Sequence, residues 1–231
     1  MRINALDTPL ARPDLEATLP LRPDAYLVPK VNGPEDLATL DLEITRLERQ
    51  HGVPEGSTAL IPIATETPQG LLRIAEIARA RRVDALTWGA EDLSAALGAR
   101  ASRDAHGRYL DVFRHARVMT LLAAAAAGVE AIDGVYVDIR DLDGLRAEAR
   151  DAAQQGFAGK MTIHPEQIPI VNGAFTPSDE EVAESRALLE AFEKERGSGR
   201  LAFRFRGQMV DAPHLERARR ILALASHVGR A

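Results

Sequence analysis

Short apolar runs, each closed by a polar or turn residue and followed by a longer amphipathic segment, recur along the chain at 25–28, 59–64, 85–88, 132–137 and 160–163. The runs are continuous rather than alternating, which is the pattern of strands buried on both faces of a parallel sheet, and the stretches between them predict helices. Pro34, Pro68 and the pair Pro177-Ser178 stand where helices should begin, and Ser178 with Glu181 fits a capping box. Gly52, Gly98, Gly128 and Gly156 fall where helices should stop. Successive strands lie about 30 residues apart, the length of one βα unit, with a wider gap between Trp88 and Ile132. No glycine-rich G-x-G-x-x-G loop follows any strand, so a TIM-type (β/α)8 barrel is favoured over an open doubly wound sheet.

Past Ser178 the pattern changes. A helix to about Arg196 is expected, then a break at Gly197, Ser198 and Gly199, then a half-buried strand in which Leu201, Phe203 and Phe205 alternate with polar neighbours. A last amphipathic helix over 212–228, opened by Pro213, closes the chain. The expected organisation is a barrel body over 1–177 and a C-terminal helix-hairpin-helix appendage over 178–231, acting as a lid or oligomerisation segment.

Composition narrows the function. With 45% hydrophobic and 27% charged residues in 231, the chain can bury one large core. The net charge of -5 argues against a general nucleic-acid binder. The basic cluster Arg79, Arg81 and Arg82 reads as a solvated helix end, and the alanines at 123–127 read as part of a closely packed helix. With no cysteine, disulfides, thiolate-bound zinc, iron–sulfur clusters and thiol nucleophiles are excluded. No stretch of about 18 apolar residues occurs, so no membrane span or signal peptide is expected and a cytoplasmic location follows by default.

In a parallel barrel the chemistry gathers at the C-terminal ends of the strands. The residues there are Asn4, Lys30, Glu66, Glu91, Asp92, Asp138 and His164. Glu66 and Asp92 are the candidate metal ligands, since two carboxylates on separate strands supply the hard oxygens that suit Mg²⁺. Each would otherwise cap the next helix, where the helix dipole contributes about 0.3–1 kcal/mol. The six histidines show no zinc-binding spacing, and His164 before Pro165 reads as a turn residue. Lys30 and Lys160 are the only lysines placed for a Schiff base, and a strand-end lysine more commonly pairs with an acid.

Five ordered motifs carry a family resemblance. Ile63-Ala64-Thr65-Glu66-Thr67-Pro68 resembles an "ET" strand, Trp88-Gly89-Ala90-Glu91-Asp92-Leu93 a "G-x-E-D-L" strand, and Val28-Pro29-Lys30 an "lPK" strand. Gly156, Phe157, Gly159, Lys160, Ile163, His164, Pro165, Gln167 and Ile168 match "GF-x-GK-x-x-IHP-x-QI", followed by Ala174-Phe175-Thr176-Pro177-Ser178. Gly207-Gln208-Met209-Val210-Asp211-Ala212-Pro213-His214 is similar to a C-terminal "G-x-MVD-x-PH". Together they resemble the CitE-like (citrate lyase beta subunit-like) branch of the HpcH/HpaI aldolase/citrate lyase family.

The resemblance implies a Mg²⁺-dependent carbon–carbon lyase or synthase acting on a 3-hydroxyacyl-CoA of malyl, citramalyl or citryl type. Glu66 and Asp92 match the family's Mg²⁺ ligands, and Arg2 matches an arginine that binds the substrate carboxylate and acyl oxygen. Asp211 matches an aspartate on a mobile C-terminal segment that, in the CoA-ester lyases, closes over an adjacent subunit. A homo-oligomer is implied, a trimer being one form, with an acyl-CoA or acyl-carrier thioester and a small keto or hydroxy acid as partners. A complete member has two βα units before its "R-x-N" strand, which Arg2-Ile3-Asn4 resembles; this chain begins at that strand, so a barrel lacking its first two βα units is expected. A class II aldolase acting on free 4-hydroxy-2-oxo acids, and a catalytically silent binding or assembly subunit, are the alternative functions.

Overall fold

The five apolar runs form strands in a computed structural model that describes residues 1–196 and 202–227. They are β1 (Ala25–Val28), β2 (Ala59–Pro62), β3 (Ala85–Thr87), β4 (Glu130–Asp133) and β5 (Gly159–Lys160). Parallel pairing makes two sheets, β1-β2 and β3-β4-β5, which isolated parallel bridges connect. Arg2 bridges to Leu27 of β1, β1 pairs with β2, bridges at Leu60–Val83 and Ile63–Thr87 join β2 to β3, and β4 links β3 to β5. The result is an arc of neighbouring strands in chain order.

Helices fill the connections: α1 (Ala11–Thr18), α2 (Pro34–His51), α3 (Pro68–Leu72), α4 (Ile74–Ile77), α5 (Ala90–Leu97), α6 (Asp111–Ala127), α7 (Leu142–Gln155) and α8 (Ile168–Phe175). The wide gap after Trp88 holds α5, a loop and α6. All four glycines expected to end helices do so in the left-handed conformation, at φ 64, 66, 75 and 106 for Gly52, Gly98, Gly128 and Gly156. Pro34 and Pro68 occupy first-turn positions, and the Thr67 hydroxyl accepts the Gly70 N–H at 3.0 Å to cap α3. Tyr26, Val28, Leu60 and Leu86 from the strands, Trp88 just beyond β3, and Ile44, Leu47, Ile77, Phe113 and Leu145 from the helices are buried as the core.

Three expectations are corrected. The strand expected at 132–137 ends at Asp133. A Cβ on Gly134 would lie 3.0 Å from the Trp88 carbonyl oxygen, so the backbone passes tightly against β3 there and turns away. Asp138 therefore does not close a strand; its Oδ1 accepts the Arg140 and Asp141 N–H groups in a loop. The run at 160–163 contributes only Lys160 to β5, because the Ile163 N–H turns to Gln167 Oε1 at 2.9 Å. Finally, Arg82 is no solvated helix end: its side chain is 2% exposed and binds Asp41, Glu48 and the Thr58 carbonyl, while Arg81 remains exposed.

The chain divides into two units, Met1–Val171 and Asn172–Ala231. The second holds α9 (Asp179–Arg196), β6 (Phe203–Phe205), β7 (Gln208–Val210) and α10 (Ala212–His227). The capping box forms reciprocally, Ser178 N–H to Glu181 Oε2 at 2.8 Å and Glu181 N–H to Ser178 Oγ at 3.2 Å. Antiparallel β6 and β7 are joined by Arg206 and Gly207, both at positive φ (46 and 84), the geometry a two-residue hairpin turn needs. The readings made at Gly197, Ser198, Gly199, Leu201 and Val228 lie outside the described residues. Among the described residues no helix is long and apolar enough to cross a membrane.

Candidate metal and substrate site

β1, β2 and β3 end on the same side of the arc, and the segments just beyond them carry Lys30, Glu66 and Asp92. Glu66 follows β2 and is only 7% exposed. Its Oε2 accepts the backbone N–H of Lys30 at 2.8 Å, and among the described residues its Oε1 accepts no hydrogen bond. Asp92 sits in the first turn of α5, where its Oδ1 lies 3.1 Å from the Lys30 ammonium. Lys30 thus touches both carboxylates, one through its backbone and one through its side chain. It adopts φ 54, a left-handed conformation that costs a residue with a Cβ about 1–2 kcal/mol. The pairing with an acid fits the reading of Lys30 as a strand-end ion-pair residue rather than a Schiff-base nucleophile.

Gly89, between β3 and α5, makes room for the Glu66 side chain: a Cβ there would lie 3.1 Å from Glu66 Cγ and 3.3 Å from Oε1. Burial pushes the Glu66 carboxyl above the usual carboxylate range; the Lys30 N–H opposes this and the Asp92 charge adds to it. The Lys30 ammonium is held above its ordinary value, chiefly by its hydrogen bond to Asp92 and then by that group's charge.

A cleft of about 510 Å³ opens beside these groups, lined by Arg2, Ile3, Asn4, Ala5, Thr8, Pro29, Lys30 and Asp92. Asn4 is fixed by Asp14, which takes both its backbone and side-chain N–H groups at 2.7 and 2.8 Å. Arg2 is close enough for its charge to act on Glu66. The cleft therefore joins two cations to an acid that could share a metal ion with Glu66. Another concavity, about 540 Å³, lies on the outer face of α2, lined by Asp41, Leu42, Thr45, Arg46, Arg49, Gln50 and Arg81. Its arginines are already committed to Glu43, Glu55 and Asp41, and no strand end reaches it.

Among the described residues no three His, Cys, Asp or Glu side chains cluster as a metal cage. The donor set is two carboxylates alone, which suits an ion that keeps several waters and takes its remaining oxygens from substrate, as Mg²⁺ does. Glu91, the other acid in the first turn of α5, accepts from the Ser102 hydroxyl at 3.3 Å. In the second unit Asp211 Oδ1 lies 2.6 Å from His214 Nδ1. His164 accepts the Glu166 N–H at 3.3 Å, the turn role read from its place before Pro165. Arg204 lies on β6, and Arg206 approaches Glu184 at 3.6 Å.

Sequence reasoning missed a buried ionic cluster behind β3, β4 and β5. Asp133 accepts from the Trp88 indole N–H at 2.7 Å, from Arg117 Nε at 2.8 Å and from the Lys160 ammonium at 2.9 Å. Lys160, whose side chain is wholly buried, also donates to Glu148, which pairs with Arg103. Burial alone would push the Asp133 carboxyl up, but Lys160 and Arg117 reverse this and hold it below the usual range. Lys160 is accordingly an ion-pair residue. The only hint of the cluster was an acid closing the apolar run of β4, and the true end of that strand was masked by the apolar residues that follow.

Fold and site together define an α/β protein whose chemistry-bearing side chains gather beyond the C-terminal ends of parallel strands. The chain belongs to the HpcH/HpaI aldolase/citrate lyase family, whose model matches residues 1–165. It is 42% identical over 225 residues to a citrate lyase subunit beta-like protein of Mycobacterium tuberculosis, covering 97% of this chain and 75% of that one. It is 36% identical over 245 residues to the mitochondrial citramalyl-CoA lyase of Mus musculus, covering 99% and 69%. Among solved structures, CitE from Mycobacterium tuberculosis in complex with magnesium, acetoacetate and coenzyme A is 41% identical, with a TM-score of 0.77 over 97% of this chain and 77% of that one.

Proposed function

We propose that this chain is a Mg²⁺-dependent carbon–carbon lyase that cleaves, or in reverse assembles, a 3-hydroxyacyl-CoA of malyl, citramalyl or citryl type. The observation that carries the reading is the pair Glu66 and Asp92, both tied to Lys30 beside a cleft that also presents Arg2. The citramalyl-CoA lyase relative and the CitE complex with magnesium, acetoacetate and coenzyme A support a thioester and a keto acid as the reacting pair. On this reading the parallel arc is part of a (β/α)8-type barrel, the helix-hairpin-helix unit is its appendage, and the working form is a homo-oligomer.

A bound Mg²⁺ would supply Lewis-acid polarisation of the keto or hydroxy acid oxygens, with Glu66 and Asp92 as its protein ligands. In the cleavage direction the substrate hydroxyl loses its proton and the carbon–carbon bonding pair passes to the thioester fragment as an enolate. The hydroxyl carbon becomes the keto acid carbonyl, and the enolate carbon takes up a proton. Arg2 binds the substrate carboxylate and acyl oxygen and stabilises charge developing on the enolate oxygen, where fixed positive charge has most effect. Asp211, brought in by the C-terminal segment of an adjacent subunit as the family resemblance implies, would move the proton.

The test is a panel of malyl-, citramalyl- and citryl-CoA thioesters assayed for keto acid release with Mg²⁺ and with chelator. Cleavage that needs Mg²⁺, and that falls by at least about 100-fold in Arg2→Ala, Glu66→Gln or Asp92→Asn, is expected, since each change removes charge placed for the transition state. Asp211→Asn is expected to lose about 100-fold or more in kcat, the scale of general acid–base catalysis. If no thioester is cleaved and no acyl-CoA condenses with a keto acid, the proposal fails; turnover of free 4-hydroxy-2-oxo acids instead would assign an aldolase.

A further inference from the structure

We propose that Lys30 is a resident counter-cation of the metal site, its ammonium neutralising Asp92 until a divalent ion arrives at Glu66 and Asp92 and expels it into the cleft. The inference rests on the reading of those two acids as metal ligands.

Four observations carry it. Lys30 meets the two carboxylates by different means: the backbone N–H holds Glu66 Oε2 at 2.8 Å, and the ammonium holds Asp92 Oδ1 at 3.1 Å. The backbone contact is built in by the left-handed conformation at φ 54 and does not depend on where the side chain points. The side-chain contact is releasable, because both partners are well exposed, 46% for Lys30 and 42% for Asp92, and ion pairs this open are weakly held. A site for the released ammonium is at hand, since Lys30 itself lines the cleft with Arg2.

Electrostatics gives the arrangement its purpose. Two neighbouring carboxylates repel when no cation lies between them, and Lys30 contacts both. A dication at Asp92 would in turn repel an ammonium a few ångströms away. One residue therefore aims the first ligand permanently and screens the second only until the metal binds. Lys30 is a positioning residue for Glu66 and a competitor of the metal at Asp92.

The chain suits a direct test, because its only lysines are Lys30, Lys160 and Lys194. Lys160 is buried in ion pairs, and Lys194 is exposed on α9, so it serves as the internal reference. The intact chain is treated with a water-soluble succinimidyl ester, with and without Mg²⁺, and acylation of each lysine is read by peptide mass spectrometry. Mg²⁺ is expected to raise the Lys30 rate relative to Lys194 by about threefold or more, the scale on which an exposed ion pair is lost. Asp92→Asn should label fast at Lys30 with or without Mg²⁺. By calorimetry, Lys30→Met should bind Mg²⁺ about three- to tenfold more tightly than the native chain, and Lys30→Arg should return to the native affinity. Mg²⁺ binding that leaves Lys30 labelling unchanged, with native affinity in Lys30→Met, overturns the counter-cation role and leaves the metal reading standing. Absence of any Mg²⁺ binding by the native chain overturns both.

Discussion

At the scale of single residues, the site depends on positions whose side chains are small or absent as much as on its charges. Gly89 is the clearest case. Alanine there would place its Cβ 3.1 Å from Glu66 Cγ and force the carboxylate off its present line. Gly89→Ala is therefore expected to weaken Mg²⁺ binding by about tenfold, on the scale of a second-sphere contact that orients a metal ligand. Calorimetric titration beside a melting curve checks this, and an unchanged affinity would show that Glu66 has freedom to move. The place of Glu66 and Asp92 beyond the ends of β2 and β3 was legible in the sequence because the apolar runs before them mark the strands. The double role of Lys30 was not, since a left-handed backbone at a residue bearing a long side chain leaves no compositional trace.

Elements show the same division. Helix ends were legible because their chemistry is local: proline enters the first turn, glycine adopts the left-handed cap, and Ser178 meets Glu181 three residues away. The Arg82 staple and the Asp133 cluster were illegible because their partners lie far off in sequence: Asp41 and Glu48 for the first, Trp88, Arg117 and Lys160 for the second. The first set ties the turn before β3 to α2, and the second ties α6 to β4 and β5. Removing one partner of such a buried set strands the others, at a cost of about 3–5 kcal/mol. Asp133→Asn, which keeps the shape and discards the charge opposite Lys160 and Arg117, should lose stability in that range by urea denaturation. A loss below about 1 kcal/mol would instead match an exposed pair and would contradict the burial of the cluster.

For the whole molecule, the proposed metal site and the buried ionic cluster predict opposite dependences of stability on pH. The folded Glu66 carboxyl titrates above its unfolded value, so its contribution to the stability of the metal-free chain is present at low pH and is lost as pH rises through the raised value. Asp133 is held low, so its contribution is present above its unfolded value and is lost as pH falls through the depressed one. A divalent ion must take Glu66 ionised, and the stabilisation it confers should therefore grow as pH rises through the Glu66 transition. Melting temperatures with and without Mg²⁺ across weakly acidic to neutral pH measure this directly. The gap should widen toward neutrality in the native chain and stay small and flat in Glu66→Gln. A gap that is widest in acid would reverse the assignment of that proton.

The place of Trp88 has an optical consequence. It is the one tryptophan in the chain, almost wholly buried, bonded to Asp133 on one side and followed by Gly89, which faces Glu66, on the other. The ultraviolet emission of this protein thus comes largely from a single chromophore standing between its ionic interior and its carboxylate pair, and a spectrum taken without any label reports on both.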